Sequence, residues 1–309
     1  MANGRRLVTL PPAARAGASL VAAAPGDPRW KEYFIYSADF VTGLQLPAGA
    51  ANADPTALPF LSFPIKIHSD SDFEWLKTMY DFIDPRVYLR MQDDTSGRRL
   101  HRSTLDARLS AGIGVSLAAV VPNIESTAFL PFIEPEPYII SAASTFTIDA
   151  ADFSGAPNDV RVSLHGNKVR PGFAPWERDS QGQPRRFRAR VPFKIVLPPD
   201  GQTMVIAANQ SINVAAPIDM EADFLVFRVT MLHTGAGLVT IQDGPGRDRF
   251  WMDRAVHFDN FGGNGIFPNI LPSPRFAYRG SSIQAQLQDT SAATNRVKLE
   301  FHGVKLYAG

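Results

Sequence analysis

The chain has 309 residues, 45% hydrophobic and 20% charged, a composition typical of soluble globular proteins and long enough for two cores. Its 31 basic and 30 acidic residues leave a formal charge of +1, which argues against the electrostatic footprint of a dedicated nucleic-acid binder. There is no cysteine, so disulfides and thiolate metal sites are excluded, and no apolar run reaches the length of a membrane span.

Residues 1–32 are rich in Ala, Pro and Arg. Arg5-Arg6 followed by Leu7-Val8-Thr9-Leu10 has the outline of a secretion signal, but Pro11, Pro12 and Arg15 interrupt the apolar stretch such a signal requires. An extended arm that docks on a neighbour is expected instead. From there the pattern becomes short strands: Tyr33-Phe34-Ile35-Tyr36, Phe63-Pro64-Ile65-Lys66-Ile67, and Val87-Tyr88-Leu89-Arg90-Met91 running into the turn residues Asp93 to Gly97. With 25 prolines and 23 glycines at turn spacing, long helices are disfavoured, and only Asp70 to Phe82 has a weakly helical pattern. Val160 to Gly166 alternates, with Val160, Val162 and Leu164 on one face and Arg161, Ser163 and His165 on the other.

Residues 176–192 contain Gly182, Pro184 and the basic cluster Arg185, Arg186, Arg188 and Arg190, and read as a linker. Beyond it, Leu238 to Ile241 ends at Asp243-Gly244-Pro245-Gly246, a second hairpin signal. Phe261-Gly262-Gly263-Asn264-Gly265 reads as a flexible connection between strands. Val297 to Gly303 alternates like Val160 to Gly166, placing Val297, Leu299 and Phe301 on the apolar side.

These parallels are systematic. At a constant offset of 137 (272 minus 135), Pro135, Pro137, Ser144, Asp152, Ser154, Asn158, Val160, His165, Gly166 and Lys168 each meet an identical residue in the stretch Pro272 to Lys305. Upstream anchors, such as Asp72-Phe73 with Asp223-Phe224 and Pro122-Asn123-Ile124 with Pro268-Asn269-Ile270, continue the match with small insertions. The expected organisation is an all-β tandem duplication of an antiparallel β-sandwich, jelly-roll-like, with an N-terminal arm at 1–32, a first domain at 33–175, a linker at 176–192 and a second domain at 193–309.

Signatures of catalysis are missing: no G-x-S-x-G elbow, H-E-x-x-H pair, P-loop or dinucleotide fingerprint occurs. The six histidines are scattered, and the equivalent pair His165 and His302 fits a shared strand end in which Gly166 and Gly303 suit a bulge. Asp70, Asp72, Asp93, Asp94, Asp219, Glu221, Asp223 and Asp243 are oxygen donors of the kind calcium takes, but lack its loop spacing and suit turns better. No catalytic, cofactor-binding or metal-ligating residue is assigned, and no cofactor. Trp30, Trp75, Trp176 and Trp251 are candidate aromatic platforms for a carbohydrate- or receptor-binding module, the alternative to a structural role.

The repeated unit, with its D-F start, G-R turn, P-N-I and P-x-P loop, D-x-S-x-x-x-N turn and closing H-G-x-K strand, resembles virion structural proteins of tailed bacteriophages over about residues 33 to 309. The resemblance implies a non-enzymatic component of head, neck or tail attachment, assembled in the host cytoplasm from copies of itself with other virion proteins. It implies no small-molecule substrate, no specific nucleic-acid binding and no membrane partner. Single and double jelly-roll capsid proteins of tailless viruses are a neighbouring alternative within the structural class.

Overall fold

Alternating apolar and polar residues cut into short runs by Gly and Pro build strands, and in the computed structural model strands account for nearly all regular structure among the described residues. These are residues 28–41, 46–48, 58–82, 86–100, 105–106, 113–116, 127–178, 182–199, 202–244, 249–264 and 267–309. The expected arm, up to residue 27, lies outside them.

In chain order the first half holds β1 (Arg29–Phe40), β2 (Leu61–Lys66), β3 (Asp72–Phe82), β4 (Val87–Asp93), β5 (Arg98–Arg99), β6 (Leu105–Asp106), β7 (Ile113–Ser116), β8 (Thr127–Leu130), β9 (Phe132–Ile140), β10 (Thr145–Asp152) and β11 (Val160–Pro171). The second holds β12 (Phe187–Leu197), β13 (Met204–Ile206), β14 (Ser211–Pro217), β15 (Ala222–His233), β16 (Gly237–Gly244), β17 (Arg249–Phe250), β18 (Val256–His257), the short helix α1 (Phe258–Phe261), β19 (Asn269–Ala277), β20 (Ser282–Asp289) and β21 (Asn295–Ala308).

The strand order is the same in both halves. One sheet of the first half runs β1-β11-β3 with β9, β7 and β8 beyond, and it faces a sheet β2-β10-β4-β5. The second half pairs β12-β21-β15-β19 with β14-β20-β16-β17. Successive strands cross between the sheets and the last strand returns between the first and third, which is the jelly-roll connection. The β9/β19 and β10/β20 pairs start 137 residues apart (269 minus 132, 282 minus 145), the offset found in the sequence.

Two boundaries differ from expectation. β1 begins at Arg29, inside the expected arm, because β11 is long enough to pair as far as Arg29 with Pro171. β12 begins at Phe187, inside the expected linker, because β21 likewise extends to pair Phe187 with Ala308.

Asp70 to Phe82 is not a helix: Asp72–Phe82 is the third strand, held between β11 and β9. A bulge explains the misleading pattern. The register slips between His165 and Gly166 opposite Trp75 and Lys77, so buried Phe73 to Trp75 and buried Thr78 to Tyr80 are set apart by half-buried Leu76 and Lys77, a spacing that breaks the period of two. β15 repeats it, with Phe224 and Val226 before the slip and Val229 and Met231 after it. Gly166 and Gly303 sit at these bulges because an added Cβ would lie 2.0 Å from the carbonyl oxygen of Glu74 or Leu225.

Val160, Val162, Leu164, Val297, Leu299 and Phe301 all have zero exposure, as the alternation predicts. The Phe301 ring packs edge-on against Trp251 with centroids 5.4 Å apart. Phe301→Ala is expected to cost about 3 kcal/mol through lost burial and the cavity left behind; a loss below about 1 kcal/mol in denaturant melts would contradict this packing.

Candidate functional site

Among the described residues, β1 contributes to the cores of both halves. Phe34, Tyr36, Ala38 and Phe40 enter the first core, whereas Tyr33 and Ile35, on the other face, join the core cluster of the second sandwich. The free edge of β1 is capped by the same neighbour. Ile35 N–H donates to the Trp251 carbonyl at 3.0 Å, Asp253 N–H donates to the Ile35 carbonyl at 3.0 Å, and Ser37 N–H donates to Asp253 Oδ1 at 3.0 Å. A sheet edge that would otherwise solicit pairing is thus closed by the second half.

Charge follows the same seam. Glu32, 1% exposed, contacts Arg249, lies 3.2 Å from Arg170 Nε and 3.2 Å from Arg275 Nη1. Arg275, on β19 and also 1% exposed, donates to the carbonyls of Tyr33, Arg249 and Phe250 and lies 3.5 Å from Asp243 Oδ2. Burial lowers its pKa to about 10, with Asp243 opposing that shift, so it stays charged at neutral pH. Beside this network opens a cleft of about 540 Å³ lined in part by Trp30, Glu32, Asp70, Lys168, Arg249 and Tyr278.

His165 is part of the seam, not a ligand site. Asn269 Nδ2 donates to the Tyr33 hydroxyl at 3.1 Å, and that hydroxyl lies 2.7 Å from His165 Nδ1. Desolvation, with help from Lys77, depresses the His165 pKa to about 3, so the ring is neutral and accepts from Tyr33. Lys77 Nζ donates to the Ile270 carbonyl at 2.6 Å across the same junction.

His302, the counterpart, lies on the outer face of the second sandwich, 2.9 Å from Thr230 Oγ1 and only partly buried. With Pro192, Lys194, Phe227, Arg228 and Ile270 it lines an open cleft of about 580 Å³, where Phe227 is 41% and Ile270 59% exposed. So the face that docks in the first sandwich is uncovered in the second. The reverse holds for the partner element. β19 lies against β1 at the junction with Asn269 fully buried, while its equivalent, β9, presents Phe132 at 36% and Ile139 at 50% exposure.

The remaining sequence candidates are scattered by the fold. Asp93 accepts from Thr95 and Ser96 in its own turn, Asp72 from Ala142, Asp223 from Arg279, and Asp94 from Thr147. Asp70 pairs with Lys168, and Asp219 with Lys305 at the equivalent place, while Glu221 is exposed. Of the basic cluster, Arg185 binds Asp223 at 2.6 Å and Arg186, Arg188 and Arg190 are exposed. Trp75 and Trp251 are buried in the two cores, and Trp30 packs edge-on against Trp176 at 5.9 Å. Phe261 to Asn264, expected as a flexible connection, is buried against β15, with the Gly263 carbonyl accepting from Met231 N–H.

No family model matches the chain, and no curated protein matches it. Among solved structures, it is similar to one described as the triple jelly roll fold and turret assembly in an archaeal virus, at 7% identity and TM-score 0.27, covering 92% of this chain and 60% of that one. It is also similar to the major capsid protein P2 from Bacteriophage PM2, at 11% identity and TM-score 0.24, covering 89% and 98%. A third is the PBSX exported protein XepA, at 11% identity and TM-score 0.19, covering 86% of each chain. This chain therefore spans 60% of the length of the archaeal-virus protein. The TM-scores are all below 0.5, so the jelly-roll assignment rests on the strand order alone.

Two outcomes test the seam. Arg275→Ala strands Glu32 and Asp243 beside fewer cations and is expected to cost about 3 kcal/mol or more in denaturant melts of the full chain. Arg275→Lys restores only part of that, because an ammonium cannot span three carbonyls as a guanidinium does. Asp253 has its pKa raised to about 6, chiefly by burial, with Arg254 opposing. Its folded form holds a proton that the unfolded chain releases near pH 4, so its contribution to stability falls as pH rises from about 4 to 6. Asp253→Asn is expected to gain on the order of 2 kcal/mol relative to the native chain between pH 4 and pH 7; equal pH profiles would refute the assignment.

Proposed function

We propose that this chain is a non-enzymatic structural protein of a bacteriophage virion, packing against copies of itself and other virion proteins to build or decorate the head, neck or tail attachment. One observation carries this reading: the sheet face that docks on the next sandwich within the chain is left uncovered at one end of the chain, and the strand it docks on is left uncovered at the other. Phe193 and Phe227 mark the open face, Phe132 and Ile139 the open strand.

A contact between two different surfaces repeats head to tail and closes into a ring when its rotation divides a full turn. Two similar sandwiches per chain let three chains present six related positions. The double jelly-roll order supports this reading, as does a stability that relies on packing in a chain with no cysteine.

Sedimentation velocity and negative-stain imaging of the purified chain are expected to show closed oligomers or sheets. The double variant Ile139→Asp and Phe227→Asp alters exposed side chains only, so it is expected to keep its circular dichroism and Tm while sedimenting as a monomer. A native chain that stays monomeric at its highest soluble concentration overturns the proposal. Monomeric protein that binds a sugar on a glycan array would replace it with the carbohydrate-binding reading.

A further inference from the structure

Beside the junction, away from Glu32 and Arg275, a second group of polar side chains is assembled from both sandwiches. Asp81 comes from β3, His257 from β18, Asp259 from α1 and His233 from the end of β15. His257 Nδ1 lies 3.4 Å from Asp81 Oδ2 and 3.6 Å from Asp259 Oδ2. One donor atom from each of the three falls within 4.8 Å of the others. His257 is 4% exposed, and its Nδ1 has no hydrogen-bond partner among the described residues.

Those separations are informative. A charge-assisted bond from imidazole to carboxylate closes to about 2.7–2.9 Å, which neither contact does. Donors held about 2.0–2.1 Å from a shared tetrahedral ion stand about 3.3–3.4 Å from one another, close to the two separations from His257 Nδ1. Arg161 Nη1, 2.8 Å from Asp81 Oδ2, offsets one carboxylate.

The surroundings support the donors. His233 Nε2 lies 3.0 Å from Asp259 Oδ1, and His233 Nδ1 lies 3.0 Å from the Gly235 carbonyl.

We propose that Asp81, His257 and Asp259 form a divalent transition-metal site of the zinc class that ties the first sandwich to the second. Mixed imidazole and carboxylate donors suit zinc better than calcium or magnesium, and three protein ligands leave a tetrahedral position for water. Since Asp81 belongs to one half and the other two ligands to the other, bound metal adds to the stability of the docked arrangement by mass action.

The test uses the untagged full chain, stripped with EDTA, dialysed and titrated with zinc by calorimetry. The expected result is one equivalent per chain, a Tm that rises with zinc, and visible absorption bands of tetrahedral cobalt when Co(II) replaces it. Asp81→Asn and Asp259→Asn are isosteric changes at partly exposed positions. Each is expected to keep the metal-free Tm within a few degrees and to weaken zinc binding by about tenfold or more. His257→Gln is expected to abolish the cobalt bands. Absence of stoichiometric zinc binding by the native chain overturns the site, and so does zinc affinity unchanged in both Asn variants. Either result is independent of whether the chain forms rings.

Discussion

A single strand buried on both faces organises this molecule. β1 contributes Phe34, Tyr36, Ala38 and Phe40 to one core and Tyr33 and Ile35 to the next. Because side chains alternate along a strand, this double duty demands apolar residues at consecutive positions. Everything at the junction then follows: the closed sheet edge at Ile35, the arginines that neutralise Glu32, and the neutral His165 behind Tyr33.

The same constraint explains why the twin halves diverge where they do. His165 and His302 occupy equivalent strand positions, yet one is sealed under the second sandwich and the other faces an open cleft. Asp70 with Lys168 and Asp219 with Lys305 repeat the same pair, with the lysine stacked over Phe34 in one copy and Phe193 in the other. The repeated pieces serve the sandwich itself, while the unmatched pieces, such as Glu32 and Arg275, serve the seam between them.

Much of the fold was legible in the sequence because its signals are local. Turn residues and period-two alternation located β1, β2, β4, β11, β16 and β21, and the constant offset marked Pro135 to Lys168 and Pro272 to Lys305 as equivalent stretches. β3 was misread because its bulge breaks the period at the point where periodicity is measured. The double burial of β1 was visible as the run Tyr33-Phe34-Ile35-Tyr36, a continuous apolar stretch that marks a strand covered on both sides. What no local pattern could disclose is long-range placement. Arg275 is of a type that is rarely buried, and Asp81 and His257 are 176 positions apart (257 minus 81) yet lie in contact.

The shared strand also changes what the connection between the halves has to do. Residues from Gly172 to Arg186 join two bodies that are already held by a buried backbone ladder, a salt-bridged Glu32 and a common apolar cluster. Covalent continuity there adds effective concentration and little else. A chain nicked beside the exposed Gly182 would remain one particle, its two pieces migrating together until denaturant parts them. Either piece made alone would expose surface that the other normally covers. The natural unit of this protein is accordingly the docked pair, and each sandwich is a fragment of it.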